Sequence, residues 1–166
     1  SIGDSALDYF DKEFINARIV KVYNDDKYTT AELSNPGFFE TYDHLQINFN
    51  RGDKKFVIVG IDGLIEYEYN INACYNKIEE IKKQIKPIFD KPKISSFEKK
   101  HRGDKSGKSK VKIVSIKTSH QSKYNAITLQ CTDWSKAIES KKNWMDHLRI
   151  TIRTEKFSDW IINKAY

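Results

Sequence analysis

Between residues 71 and 88 the side chains Ile71, Cys74, Ile78, Ile81, Ile85 and Ile88 recur at alternating spacings of three and four. That spacing puts all six on one face of a helix, and such a face must be covered by something apolar. The segments around it have the period of strands. His44–Asn50 alternates Leu45, Ile47 and Phe49 with His44, Gln46, Asn48 and Asn50, and Ile127, Leu129 and Cys131 alternate in the same way. Short alternating strands with a long amphipathic helix specify an α+β chain, a mainly antiparallel sheet with helices packed on one side.

Asp4 is expected to cap a first helix that turns Leu7, Phe10 and Phe14 inward and ends near Arg18. Strands follow at residues 19–23 and 28–33, and Ser34-Asn35-Pro36-Gly37 breaks the chain before the strand at 44. Asp62-Gly63 reads as a tight hairpin turn between strands at 56–61 and 64–69. Residues 90–110 turn polar, with Lys99, Lys100, Arg102, Lys105, Lys108 and Lys110, and read as a basic connector between a first half, 1–89, and a second half, 111–166, of one compact domain. The second half promises strands at 111–116, 126–131 and 148–152 and a last helix with Phe157, Trp160, Ile161 and Ala165 on one face. Asp43-His44-Leu45 and Asp146-His147-Leu148 open corresponding strands, an echo that fits a duplicated ββ(β)α unit.

An apolar content of 39% with 13% aromatic residues can fill a core, so disordered, collagen-like and coiled-coil readings fail. No apolar run reaches the roughly eighteen residues of a membrane-spanning helix. Of the 29 cationic residues only five are arginine, at 18, 51, 102, 149 and 153. Lysine excess is also what an AT-rich coding sequence produces, so the distribution is more telling than the total. Residues 1–86 hold 11 cations and 15 anions, net −4, and residues 87–166 hold 18 and 8, net +10. Opposite signs let the halves attract each other or let the second half steer an acidic partner.

Gly103-Asp-Lys-Ser-Gly107-Lys108-Ser109 approaches a phosphate-binding loop but has three residues between its glycines where four are needed, and a strand rather than a helix follows. The Asp-His pairs at 43–44 and 146–147 cannot form acid–base couples within one strand, because neighbouring residues point to opposite faces. No nucleophile sits in a recognisable elbow, so no catalytic residue is expected, and no cofactor signature is present. The histidines at 44, 101, 120 and 147 are isolated and neither cysteine has a CxxC neighbour, so no metal is expected.

One surface stands out. On the strand that begins at His147 the inward set is Leu148, Ile150 and Ile152, which leaves His147, Arg149, Thr151 and Arg153 outward. Arginine forks hold carboxylates or phosphates, and Trp134 and Trp144 bracket the loop before that strand, where a tryptophan can stack a ring or simply close a core. His147, Arg149, Arg153, Trp134 and Trp144 therefore form the candidate anion-binding face. Cys74 and Cys131 each lie on the apolar face of their own element and are expected to pair as a disulfide in an oxidising compartment, the alternative being two separate buried thiols.

Gly3-Asp4-Ser5-Ala6, Phe39-Glu40-Thr41-Tyr42-Asp43, Asn70-Ile71-Asn72-Ala73-Cys74-Tyr75, Asp104-Lys105-Ser106-Gly107-Lys108, Asp133-Trp134-Ser135, Asp146-His147-Leu148 and Asp159-Trp160 with Asn163-Lys164-Ala165-Tyr166 span most of the chain. In these the chain resembles a family of small exported proteins of marine alphaproteobacteria. The resemblance implies a removed signal peptide and a periplasmic home, and it transfers no activity, cofactor or catalytic residue. The expectation is a non-enzymatic periplasmic protein, or otherwise an extracytoplasmic one, that binds an anionic small molecule, a glycan or an acidic protein. A cytoplasmic home is the alternative. Nucleic-acid binding through the basic connector ranks second, and a hydrolase or transferase using His44 and His147 third.

Overall fold

The computed structural model describes residues 1–34, 39–117 and 126–165. The chain break expected at 35–37 and His120 lie outside the described residues. Two side-chain caps divide the N-terminal segment where one helix from Asp4 was expected. Ser5 accepts the Leu7 amide and starts a 3-10 turn, Ala6–Asp8, while Asp11 accepts the Phe14 amide and starts α1, Lys12–Asn16. Each cap satisfies a donor that a helix start leaves open. Ala6 and Ile15 reach the core from these pieces, and Leu7 stays 40% exposed.

Strands β1 (Ile19–Val20), β2 (Tyr28–Ser34), β3 (His44–Asn50) and β4 (Gly60–Glu66) precede the striped helix, α2 (Ile71–Ile85). Then come β5 (Lys93–Lys100), β6 (Lys110–Lys117), β7 (Ile127–Asp133), α3 (Lys136–Lys142), β8 (His147–Arg153) and α4 (Glu155–Asn163). The fold is α+β, with eight strands among the described residues in one mainly antiparallel sheet in the order β1-β2-β3-β4-β8-β7-β6-β5. Among the described residues the chain forms two compact units, 1–63 with 151–165 and 64–117 with 126–150. The division therefore falls at residues 63/64 and 150/151, and much of the segment read as a basic connector is the strand β5.

Two corrections in the first unit share one cause. In the β2–β3 register Ala31 pairs with Ile47 and Thr29 with Phe49, so this face supplies the cluster of Ala31, Leu33, Ile47 and Phe49 that packs with Ala6 and Ile15. Thr30 pairs with Asn48 on the opposite face, where Tyr23, Tyr28, Phe157 and Trp160 form a second apolar cluster. Both faces of β2–β3 are thus covered, and Asn48, expected outward, is 1% exposed. Asp62 lies on the buried polar network of that second face instead of in a hairpin turn. Its Oδ1 accepts Thr151 Oγ1 and an Arg153 N–H, each at 2.6 Å, and its Oδ2 accepts Asn48 Nδ2 at 3.2 Å. With the carboxylate so held, the backbone continues as a strand through Asp62 and Gly63, and a Cβ at Gly63 would stand 2.5 Å from the Tyr42 ring. On β8 the same network buries Thr151, while Ile152, expected inward, is 43% exposed.

In the second unit α2 covers a sheet face made of Val114, Ile116, Leu129, Cys131 and Leu148. Its stripe meets that face through Cys74 and Ile78, both fully buried, and Asn70 caps the helix by accepting the Ala73 amide at 3.1 Å. Cys74 and Cys131 stand at disulfide distance within this core, with their Cα atoms 6.0 Å apart.

Candidate functional site

The face of the second unit that α2 leaves alone follows from register. Lys99 pairs with Val111, and Val111 with Thr132. Phe97, Ile113 and Gln130 form the next row, and Ser95, Ser115 and Thr128 the one after. Side chains directly across antiparallel strands share a face, so these rows stand opposite the Val114–Leu129 surface under α2. Leu148 belongs to the cluster under α2, which puts His147 and Arg149 on the outer face by alternation.

At one end of this face the aromatic rings converge. His101 lies 4.3 Å from Trp134 between ring centroids, Trp134 lies 4.7 Å from Trp144, and His147 lies 6.3 Å from Trp134. Trp134 is 7% exposed and forms the floor, while Trp144 is 43% exposed and offers a ring to solvent. Trp134 is fixed by its backbone, because its amide donates to the buried carboxylate of Asp146 at 2.9 Å. Burial pushes the Asp146 carboxyl up, and the Trp134 amide opposes that. Among the described residues the Trp134 indole Nε1–H has no partner.

His101 has its Nδ1 occupied as an acceptor of the Gly103 amide at 3.0 Å. A Cβ on Gly103 would come within 3.1 Å of the imidazole, so the glycine makes the approach possible. Burial pulls the His101 pKa down, Lys99 and Arg149 push it the same way, and Asp104 partly opposes them. The imidazole is therefore held neutral beside two cations, with Nε2 as its donor.

The loop between β5 and β6 is built on a second buried carboxylate. Asp104 accepts the Ser106 amide at 2.9 Å, the Ser109 amide at 2.9 Å, the Ser109 hydroxyl at 2.6 Å and the Ser135 hydroxyl at 2.9 Å. The bonds from Ser109 first, then those from Ser106, hold its carboxyl well below the usual carboxylate range. The same accounting excludes a phosphate cradle. The amides of Gly103, Asp104, Ser106, Gly107, Lys108 and Ser109 are all spent inside the loop, so they cannot curl round an anion.

Of the five residues read from sequence as an anion face, the structure brings Trp134, Trp144 and His147 together, with Arg149 on the same face of β8. Arg153 belongs to the first unit, where Asp62 takes its guanidinium. His44, in the first unit, has its Nδ1 2.7 Å from the Ser34 hydroxyl, and His147 has its Nδ1 3.1 Å from the Met145 carbonyl. His101 and Lys99 were missed because β5 shows no apolar alternation. Its lysines are the pattern of a guarded edge strand, and that was the available signal. Among the described residues no group of three or more His, Cys, Asp or Glu is placed to hold a metal, and no helix is long and apolar enough to cross a membrane. No family model, curated protein or solved structure matches the chain.

Proposed function

We propose that the chain is an extracytoplasmic binding protein and that the Trp144, Trp134, His101, His147 and Arg149 surface holds an anionic ligand bearing a ring, a sugar acid being the simplest. The observation that carries this is the half-exposed Trp144 ring tilted against a fixed Trp134 with centroids 4.7 Å apart, beside a neutral imidazole and the Arg149 guanidinium. An indole face takes the C–H face of a sugar or another ring, a guanidinium takes its carboxylate in paired hydrogen bonds, and a neutral imidazole N–H donates to a hydroxyl. A binding role suits groups whose protons are committed elsewhere: the Asp146 carboxylate serves the Trp134 amide and His147 Nδ1 faces a carbonyl. The cysteine pair at disulfide distance supports an oxidising compartment.

Titration with glucuronate and galacturonate, followed by tryptophan fluorescence and by thermal shift, tests the reading. Binding is expected, weakened about tenfold or more by Trp144→Ala and by Arg149→Ala with little change in unfolding midpoint. Binding that neither variant alters, or no response to any sugar acid, overturns it.

A further inference from the structure

Resting on that reading of the aromatic end, we infer that the ligand is a linear acidic polysaccharide and that the β5–β6 hairpin is its second contact. Lys99, Lys100, Arg102, Lys105, Lys108 and Lys110 are all exposed, and none has a carboxylate partner among the described residues. Only two acids occur between residues 93 and 110. Glu98 lies by alternation on the face opposite Lys99, together with Lys100 and its cross-strand partner Lys110, and Asp104 is buried in its own loop hydrogen bonds, so Lys99 and the loop cations Arg102, Lys105 and Lys108 face no acid.

Three features set the class of ligand. The loop is already ordered by Asp104, Ser109 and Ser135, so binding need not fix its backbone. The amides of Gly103, Asp104, Ser106, Gly107, Lys108 and Ser109 are consumed inside the loop, so it has no cradle for one phosphate and offers mainly side-chain charge. Five of the six cations are lysines, compact point charges that follow charge density along a chain and lack the arginine fork. The hairpin is contiguous with the aromatic end through His101, which packs tilted against Trp134 while its ring accepts the Gly103 amide of the loop. Trp144, the exposed ring of the aromatic end, followed by a run of lysines fits one stacked sugar and a trailing row of carboxylates. Single-stranded nucleic acid is bound instead on several successive stacking platforms.

The test is a titration of the whole chain with oligouronates of two, four, eight and twelve units at low and moderate salt. Affinity should rise with length and then level off, and the long chains should lose affinity with salt more steeply than the disaccharide. Arg102→Ala with Lys105→Ala and Lys108→Ala should lower twelve-unit affinity about tenfold and leave the disaccharide unchanged. The charge-matched control Lys12→Ala with Lys21→Ala and Lys54→Ala, in the other unit, should leave both unchanged. Equal affinity at all lengths, or equal effects of the two triple variants, overturns the inference. Equal or tighter binding of single-stranded DNA of matching charge overturns the polysaccharide assignment. If long chains bind through the hairpin but Trp144→Ala changes nothing, the aromatic reading falls and the polyanion contact stands.

Discussion

Gly103 donates its amide to Nδ1 of His101 at 3.0 Å, a bond that only the unprotonated ring nitrogen can accept. Burial first, then the Lys99 and Arg149 charges, hold the folded-state pKa of His101 below its ordinary 6.5 against the opposing charge of Asp104. The unfolded chain then binds the proton more tightly. The stability contributed by the neutral ring is fully present above pH 6.5 and is lost as pH falls through the folded value. Urea unfolding between pH 7.5 and 5 should show this loss, and His101→Gln should flatten that part of the profile. Because a bound anion offsets the two cations, ligand should raise the His101 pKa, which NMR titration of its ring would report.

The Asp62 carboxylate, 1% exposed, is held by Asn48, Thr151 and Arg153. Removing one partner of a buried ion pair leaves the other charge without compensation. Arg153→Met or Asp62→Ala alone should cost about 3–5 kcal/mol in urea unfolding, and Thr151→Val about 1–2 kcal/mol. The double variant Asp62→Leu with Arg153→Met should recover much of the single-variant loss. Equal losses in single and double variants would mean the pair itself stabilises the fold.

Gly60 has no room for a side chain. A Cβ there would lie 2.6 Å from Cε1 of Phe157, a ring that is fully buried. Gly60→Ala should destabilise by about 1–3 kcal/mol through overpacking, and Phe157→Leu in the same chain should give a combined loss smaller than the sum. Additive losses in a double-variant cycle would contradict that contact.

Cys74 and Cys131, with Cα atoms 6.0 Å apart, join α2 to β7 across 57 residues. Protein made in an oxidising compartment should show no free thiol under denaturing, non-reducing conditions, with intact mass two hydrogens below that of the reduced chain. Cys74→Ala with Cys131→Ala should lose about 4 kcal/mol, the loop-closure figure for a link of this length. Two titratable thiols in that material would remove the pairing and its support for an extracytoplasmic home.

What the sequence determined by itself is whatever depends on one element's own periodicity. The α2 stripe placed Cys74 and Ile78 in the core, the alternation of Leu129 and Cys131 marked the face they meet, and His44–Asn50 is a strand at the residues its pattern names. Tertiary structure decided everything that depends on a second covering layer or on a neighbour strand. Asn48 and Thr151 are polar and alternate outward, yet they are buried because α4 and Tyr23 cover that face of the first unit. Asp62-Gly63 has the local chemistry of a turn, but three distant partners outweigh a local preference of a few tenths to one kcal/mol, roughly the scale of a single hydrogen bond. The aromatic end of the candidate site was half legible. Trp134, Trp144, His147 and Arg149 sit near one another in sequence, whereas His101 arrives just after β5, two strands away. Only the antiparallel pairing of β5 with β6 and β6 with β7 brings its ring onto Trp134, and that register is set by contacts no single segment contains.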